Sequence, residues 1–146
     1  MAIIGFDCEI ILDSTGFYVL PNSYQMRQPR IREMTMRADG GASYVDLGPG
    51  KRVWSMTILC LNDLARYDGA ATGKTGQQYR DALRTSYSAS AGTTINYSDP
   101  LNSGPVAVHF DSYSERILDL HSQVIALATG GSLAASYEVS IELLEA

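Results

Sequence analysis

Between Val53 and Cys60 the side chains sort by parity: Trp54, Met56, Ile58 and Cys60 fall on one side, Val53, Ser55, Thr57 and Leu59 on the other. A period of two is what a strand lying on a core requires, and residues 51–61 are the most β-prone of the chain, expected as a central strand. The same pattern closes the sequence, where Tyr137, Val139, Ile141 and Leu143 oppose Glu138, Ser140 and Glu142. It also opens it, with Ile4, Phe6, Cys8, Ile10 and Leu12 sharing a side, which predicts a strand over 3–12. From 31 to 38, Met34, Met36 and Ala38 alternate with Glu33, Thr35 and Arg37 before Asp39-Gly40-Gly41 offers a turn. Residues 93–97 and 106–112 flank a turn-rich connector and read as a hairpin. Pro21 and Pro29 leave 13–29 as a loop with a short strand at 17–20.

A helical period stands out once. Tyr79, Ala82, Leu83, Ser86 and Tyr87 follow i, i+3, i+4, i+7, i+8, and Thr75 with Gln78 has the form of a capping box, which predicts a helix over about 75–88. Residues 115–128 fit both periods, and strand is the expectation there. The sum is a single domain over 1–146, mainly β: a β-sandwich of about seven strands with one packed α-helix.

Charge and composition narrow the partners. With 11 Lys and Arg against 16 Asp and Glu the chain carries net −5, so its bulk field repels phosphate and no specific nucleic-acid contact is expected. No apolar run reaches the roughly 18 residues of a membrane span, and the opening Met-Ala-Ile-Ile-Gly-Phe-Asp-Cys-Glu does not read as a secretory signal, so synthesis in the cytoplasm without a membrane partner is expected. Six of the eleven basic residues (Arg27, Arg30, Arg32, Arg37, Lys51, Arg52) crowd into one stretch. Nine tyrosines, several of them (Tyr18, Tyr24, Tyr44, Tyr67, Tyr113) in or beside expected loops, suit a wet protein interface or sugar stacking as well as they suit sheet packing. The candidate subunit-interface residues are therefore Arg27, Arg30, Arg32, Arg37, Lys51, Arg52 and Tyr44.

Catalytic constellations do not assemble. Gly73-Lys74-Thr75 before a helix imitates the end of a phosphate-binding loop, but Asp68 stands where the wrapping glycine belongs. His109 and His121 lack metal-ligand spacing, Cys8 and Cys60 sit in apolar runs as small hydrophobes, and no serine occupies a nucleophile elbow. Asp111, Glu115 and Asp119 read as solvated charge. No catalytic residue, metal or cofactor is expected, and the chain does not read as an enzyme.

Arg30-Ile-Arg-Glu-Met, then Asp39-Gly40-Gly41, Val45-Asp-Leu-Gly and Gly50-Lys-Arg-Val-Trp54 come in an order that resembles the ring-forming N-terminal domains of long-tailed phage distal tail proteins and the related tail-tube fold. In that family a two-strand unit broken by a turn, a long strand, one helix on a β-sandwich and a C-terminal amphipathic strand follow one another, so the likeness covers nearly the whole chain. Within these 146 residues there is no second carbohydrate- or receptor-binding domain such as the larger distal tail proteins carry. The resemblance implies a structural subunit of the virion tail that forms a ring, most often of six, next to neighbouring tube, hub or tip proteins. Amphipathic strands at both chain ends, free to pair across subunits, would serve the same end. The alternative is a monomeric β-sandwich module that binds carbohydrate or peptide.

Overall fold

In the computed structural model, which describes residues 3–62, 64, 69, 73–101, 104–130 and 135–146, the chain runs through β1 (Ile10–Leu12), β2 (Thr15–Val19), β3 (Gln25–Arg27), β4 (Arg30–Met36), β5 (Ala42–Pro49) and β6 (Val53–Cys60). It continues through α1 (Gly76–Ala89), β7 (Ile95–Ser98), β8 (Val106–Ile117), α2 (Leu120–Ala128) and β9 (Tyr137–Glu145). Seven strands make one antiparallel sheet in the order β2-β1-β7-β8-β9-β6-β3, and β2 also pairs with β6 through Tyr18 opposite Leu59 and Val19 opposite Ile58. The sheet thus curls until its ends meet. Closure of this kind satisfies strand edges that an open sheet leaves bare.

The fold is mainly β, as the alternation predicts. β6 is central: Trp54, Met56, Ile58 and Cys60 are buried, while β9 pairs along its whole length and β3 takes the other side at residues 53–55. Trp54 meets Tyr97 of β7 at 5.3 Å between rings, and Ile10, Leu12, Phe17, Val108, Val139 and Leu143 complete the interior. β8 and β9 outrun the short strands, and α1 packs on β6, β8 and β9 with Tyr79 and Leu83 buried. Its start is fixed twice: Thr75 accepts from the Gln78 N–H at 3.3 Å, and Gln78 Oε1 accepts from the Thr75 N–H at 2.9 Å. There the helix approaches β6 so closely that a Cβ on Gly76 would lie 2.3 Å from the Cys60 carbonyl oxygen.

Four expectations change. Nine strands and two helices are present among the described residues: β2 stands where a short strand is expected at 17–20, but the rest of the loop at 13–29 also holds β3, and 115–128 is strand only as far as Ile117. Beyond it the Leu118 N–H bonds to Ser136 O and ends the ladder, after which the Asp119 carboxylate accepts from the Ser122 N–H at 2.9 Å and starts α2. The strand over 3–12 shrinks to β1, since Gly5 adopts φ +84° in a turn whose first N–H, from Ile3, bonds Asp7 Oδ1 at 2.6 Å. Finally, the terminal strands are not free to pair across subunits. β1 lies between β2 and β7, and β9 between β8 and β6. Among the described residues no helix is long and apolar enough to cross a membrane.

Candidate assembly interface

β4 and β5 stand apart as a two-stranded sheet that pairs with no other strand among the described residues. The turn expected at Asp39-Gly40 joins them: Gly40 takes φ +86°, Arg37 N–H bonds Gly41 O at 2.8 Å, and Gly41 N–H bonds Asp39 Oδ1 at 2.9 Å. Met36 faces Ala42, Met34 faces Tyr44 and Arg32 faces Asp46, so these six side chains share one face of the ribbon. Glu33 opposite Val45 and Thr35 opposite Ser43 share the other. Near the root the register shifts between Arg30 and Arg32, with one extra residue on β5 where Gly48 takes φ +94°.

Every residue of β4 is exposed. Ile31, Met34, Met36, Tyr44, Val45 and Leu47 all present large apolar surface to water, Met36 at 65% and Tyr44 at 66% of their full exposure. Alternation in a sequence ordinarily reports a core on one side, yet this ribbon has no core on either side. A lone two-stranded hairpin is marginal at best in water and needs a third strand or another packing surface. Covering side chains of this size is worth roughly 1.5–3 kcal/mol each when burial is complete, so a partner seated on the arm gains substantially from half a dozen of them.

The seven nominated residues divide. Arg27 on β3, Arg30 and Arg32 on β4, Arg37 at the turn and Tyr44 on β5 all lie exposed on the arm or at its root. Arg30 pairs with Asp46 at 2.7 Å and Arg37 approaches Asp39 at 3.8 Å, whereas Arg27 and Arg32 form no ion pair among the described residues. The root pair behaves differently. Arg52 sits over the Trp54 ring at 4.9 Å and bonds Glu145 at 2.8 Å, and Lys51 Nζ bonds the Ala146 carbonyl at 2.8 Å, so both are engaged within the chain. Sequence reasoning overlooked the apolar members of the arm, although Met34, Met36, Val45 and Leu47 lay in the very segment its charges picked out.

Other candidates resolve as structure. Burial pushes both thiols, Cys8 and Cys60, up to about 12, with Asp7 adding to the effect at Cys8, so neither is a thiolate near neutral pH. Among the described residues no group of His, Cys, Asp and Glu could hold a metal ion. Asp68, Tyr67 and residues 70–72 of the phosphate-loop look-alike lie outside the described residues, while Lys74 places its ammonium 5.6 Å from the centre of the Tyr79 ring. Of the carboxylates at 111, 115 and 119, Asp111 is exposed, Glu115 accepts from Tyr113 at 2.8 Å and from Arg80 at 3.5 Å, and Asp119 caps α2.

The remaining tyrosines of the expected loops are occupied. Tyr18 is buried with its hydroxyl on Asp7 O, and Tyr113 stacks on Tyr87. Tyr24 donates to the buried Asp99 and accepts from Tyr97, and desolvation raises both phenols well above their usual range. Tyr44 alone of the described members of that set is an exposed ring. No protein-family model matches the chain, and neither does any curated protein.

Proposed function

We propose that the chain is a structural subunit of a phage tail, of the distal-tail or tail-tube kind, that oligomerises into a ring and catalyses no reaction. The observation that carries this reading is the arm: a β-ribbon that exposes six large apolar side chains among its charges, paired with no strand of a body whose own sheet is closed. β3 and the part of β8 beyond Val108 keep one open side, but neither bares large apolar side chains on the scale of the arm, which makes the arm the favoured contact. A ribbon that pairs with no other strand suits a part that packs against a neighbour, and its arginines and carboxylates, three of each over 30–49, give register to such a contact.

The binding-module alternative has one feature in its favour. A cleft of about 290 Å³ lies between Pro21, Tyr24, Pro100 and Leu101, near Glu9. Its aromatic hydroxyl, that of Tyr24, is already committed to Asp99 and Tyr97, which leaves Glu9 and Asn22 as the polar side chains of the wall. A sugar site needs convergent polar groups, so the ring reading is preferred.

Solution mass and particle images test it together. A ring of six copies of 15.9 kDa has a mass of about 95 kDa. A strict monomer at high concentration, combined with tail particles that lack any ring of this chain, overturns the proposal; a monomer with a glycan- or peptide-dependent signal from the Tyr24 cleft supports the alternative.

A further inference from the structure

The cleft of about 290 Å³ is made where three segments of the body meet. Ile10 enters it from the start of β1, Val19 and Leu20 from the end of β2, and Pro100 and Leu101 from the segment after β7, with Pro21 beside them, so most of its wall is apolar. That wall is fixed by the chain's own hydrogen bonds. The Leu20 N–H bonds Thr57 O at 2.8 Å, the Ser23 N–H bonds Leu20 O at 3.1 Å, and the Leu101 N–H bonds Asp99 Oδ1 at 3.0 Å. Tyr24, the aromatic residue of the wall, is held through its hydroxyl between Asp99 and Tyr97. A site formed in advance spares a ligand the cost of ordering it.

One carboxylate stands in this wall. Glu9 is half-buried, its Oε1 accepts from the Val19 N–H at 3.1 Å, and Oε2 has no hydrogen-bond partner among the described residues. Glu115, Glu138 and Glu145 each have an arginine within 3.5 Å, whereas Glu9 forms no ion pair among the described residues. Arg52, the basic group whose charge is felt at Tyr24, is bound to Glu145. A carboxylate drawn partly out of water beside apolar walls is poorly compensated until a cation reaches it.

We propose that this cleft binds a small organic cation, an ammonium head on a short apolar stem. The head meets the free oxygen of Glu9 beside the Tyr24 ring, since carboxylate and aromatic face both attract a cation. The stem lies on the prolines and leucines. An anion is repelled by Glu9, and a neutral ligand of the same shape leaves it unpaired. The volume lies at the lower edge of the roughly 300–1,000 Å³ of small-molecule sites, which keeps the ligand small.

Three probes with one stem test this on the full chain at pH 7: hexylammonium, 1-hexanol and hexanoate, followed by the backbone amide shifts of Ile10, Leu20 and Leu101 in solution NMR titrations. Hexylammonium is expected to move these amides with a dissociation constant about tenfold below that of hexanol, and hexanoate to leave them unmoved. Glu9→Gln, which keeps an oxygen for the Val19 N–H, should bring hexylammonium to the level of hexanol. Leu101→Lys, at a rim position 81% exposed, should do the same by setting an ammonium of the chain itself at the mouth, and it replaces Glu9→Gln as the deciding variant if circular dichroism shows that Glu9→Gln does not fold. Equal constants for hexylammonium and hexanol in wild type, shifts that miss the cleft, or a preference that survives in the deciding variant overturns the proposal. None of these results bears on the ring reading, which solution mass and particle images decide.

Discussion

Arg52 and Glu145 hold each other through four bonds. The guanidinium donates to Glu145 Oε2 from Nη2 at 2.8 Å and from Nε at 3.2 Å, the Arg52 N–H donates to Oε1 at 3.1 Å, and the Glu145 N–H returns to the Arg52 carbonyl at 2.9 Å. The last residues of the chain are thereby fixed to the point where the arm leaves the body. Hydrogen bonds from Arg52 hold the Glu145 carboxyl below the usual glutamate range.

A depressed carboxylate stabilises the folded state fully above its unfolded value, about 4.3, and loses that contribution as pH falls through the lower folded value. Urea midpoints for wild type should therefore drop between pH 5 and pH 3 by more than those of Glu145→Gln. At pH 7 the variant is expected to be less stable by about 1 kcal/mol, the scale of a partly exposed, charge-assisted pair. Parallel pH profiles for the two proteins would contradict this.

Gly76→Ala should be among the most damaging conservative changes in the molecule. The added methyl meets a backbone carbonyl, Cys60 O at 2.3 Å, which no side-chain rotation can move aside, and the Gly76 N–H is tied to Asn62 Oδ1 at 2.9 Å. A loss of about 3 kcal/mol or more is expected in chemical denaturation. Gly69→Ala, where φ is +87° but the space is open, should cost less.

Thr75→Ala removes one half of the reciprocal cap on α1 and should cost about 0.5–2 kcal/mol by thermal denaturation. Lys74→Ala removes the ammonium over Tyr79 and should cost no more than about 0.5–1 kcal/mol, as for an exposed cation on a ring. Neither change should alter a calorimetric titration with Mg-ATP or Mg-GTP, which is expected to be flat for all three proteins; binding lost in the Lys74 variant would restore the phosphate-loop reading.

Reversing Arg32 and Arg37 to Glu should weaken self-association about tenfold at low salt and less at high salt, because each exposed pair contributes only about 0–1 kcal/mol and is screened. Equilibrium sedimentation at two ionic strengths measures it. Equal dissociation constants at both would show that these charges do not face a partner.

What could be read from the chain was whatever local periodicity decides. β6, β9 and α1 follow from parity, from i, i+4 spacing and from the Thr75–Gln78 cap, and they lie close to where those signals put them. α2 was hidden because Leu118, Leu120, Val124 and Ala126 alternate on a segment that also satisfies a helical period. The deciding factor was the Asp119 cap, placed where β8 runs out of partners. Closure through β2 and β6 leaves no local mark, since it depends on residues some forty positions apart. Of the arm, alternation marked the first strand and the resemblance implied its partner, but neither gave a sign that the pair lies exposed.

The closing pairs of β2 and β6 complete the body without help from residues 30–49. If the arm carries assembly, as proposed, foldability and choice of partner are written in different stretches of this sequence, and a change in the arm would be felt first by the neighbour. Two versions of this protein with identical bodies would then diverge in whom they join, and exchanging about twenty residues between Pro29 and Gly50 would carry the body unchanged into a new assembly.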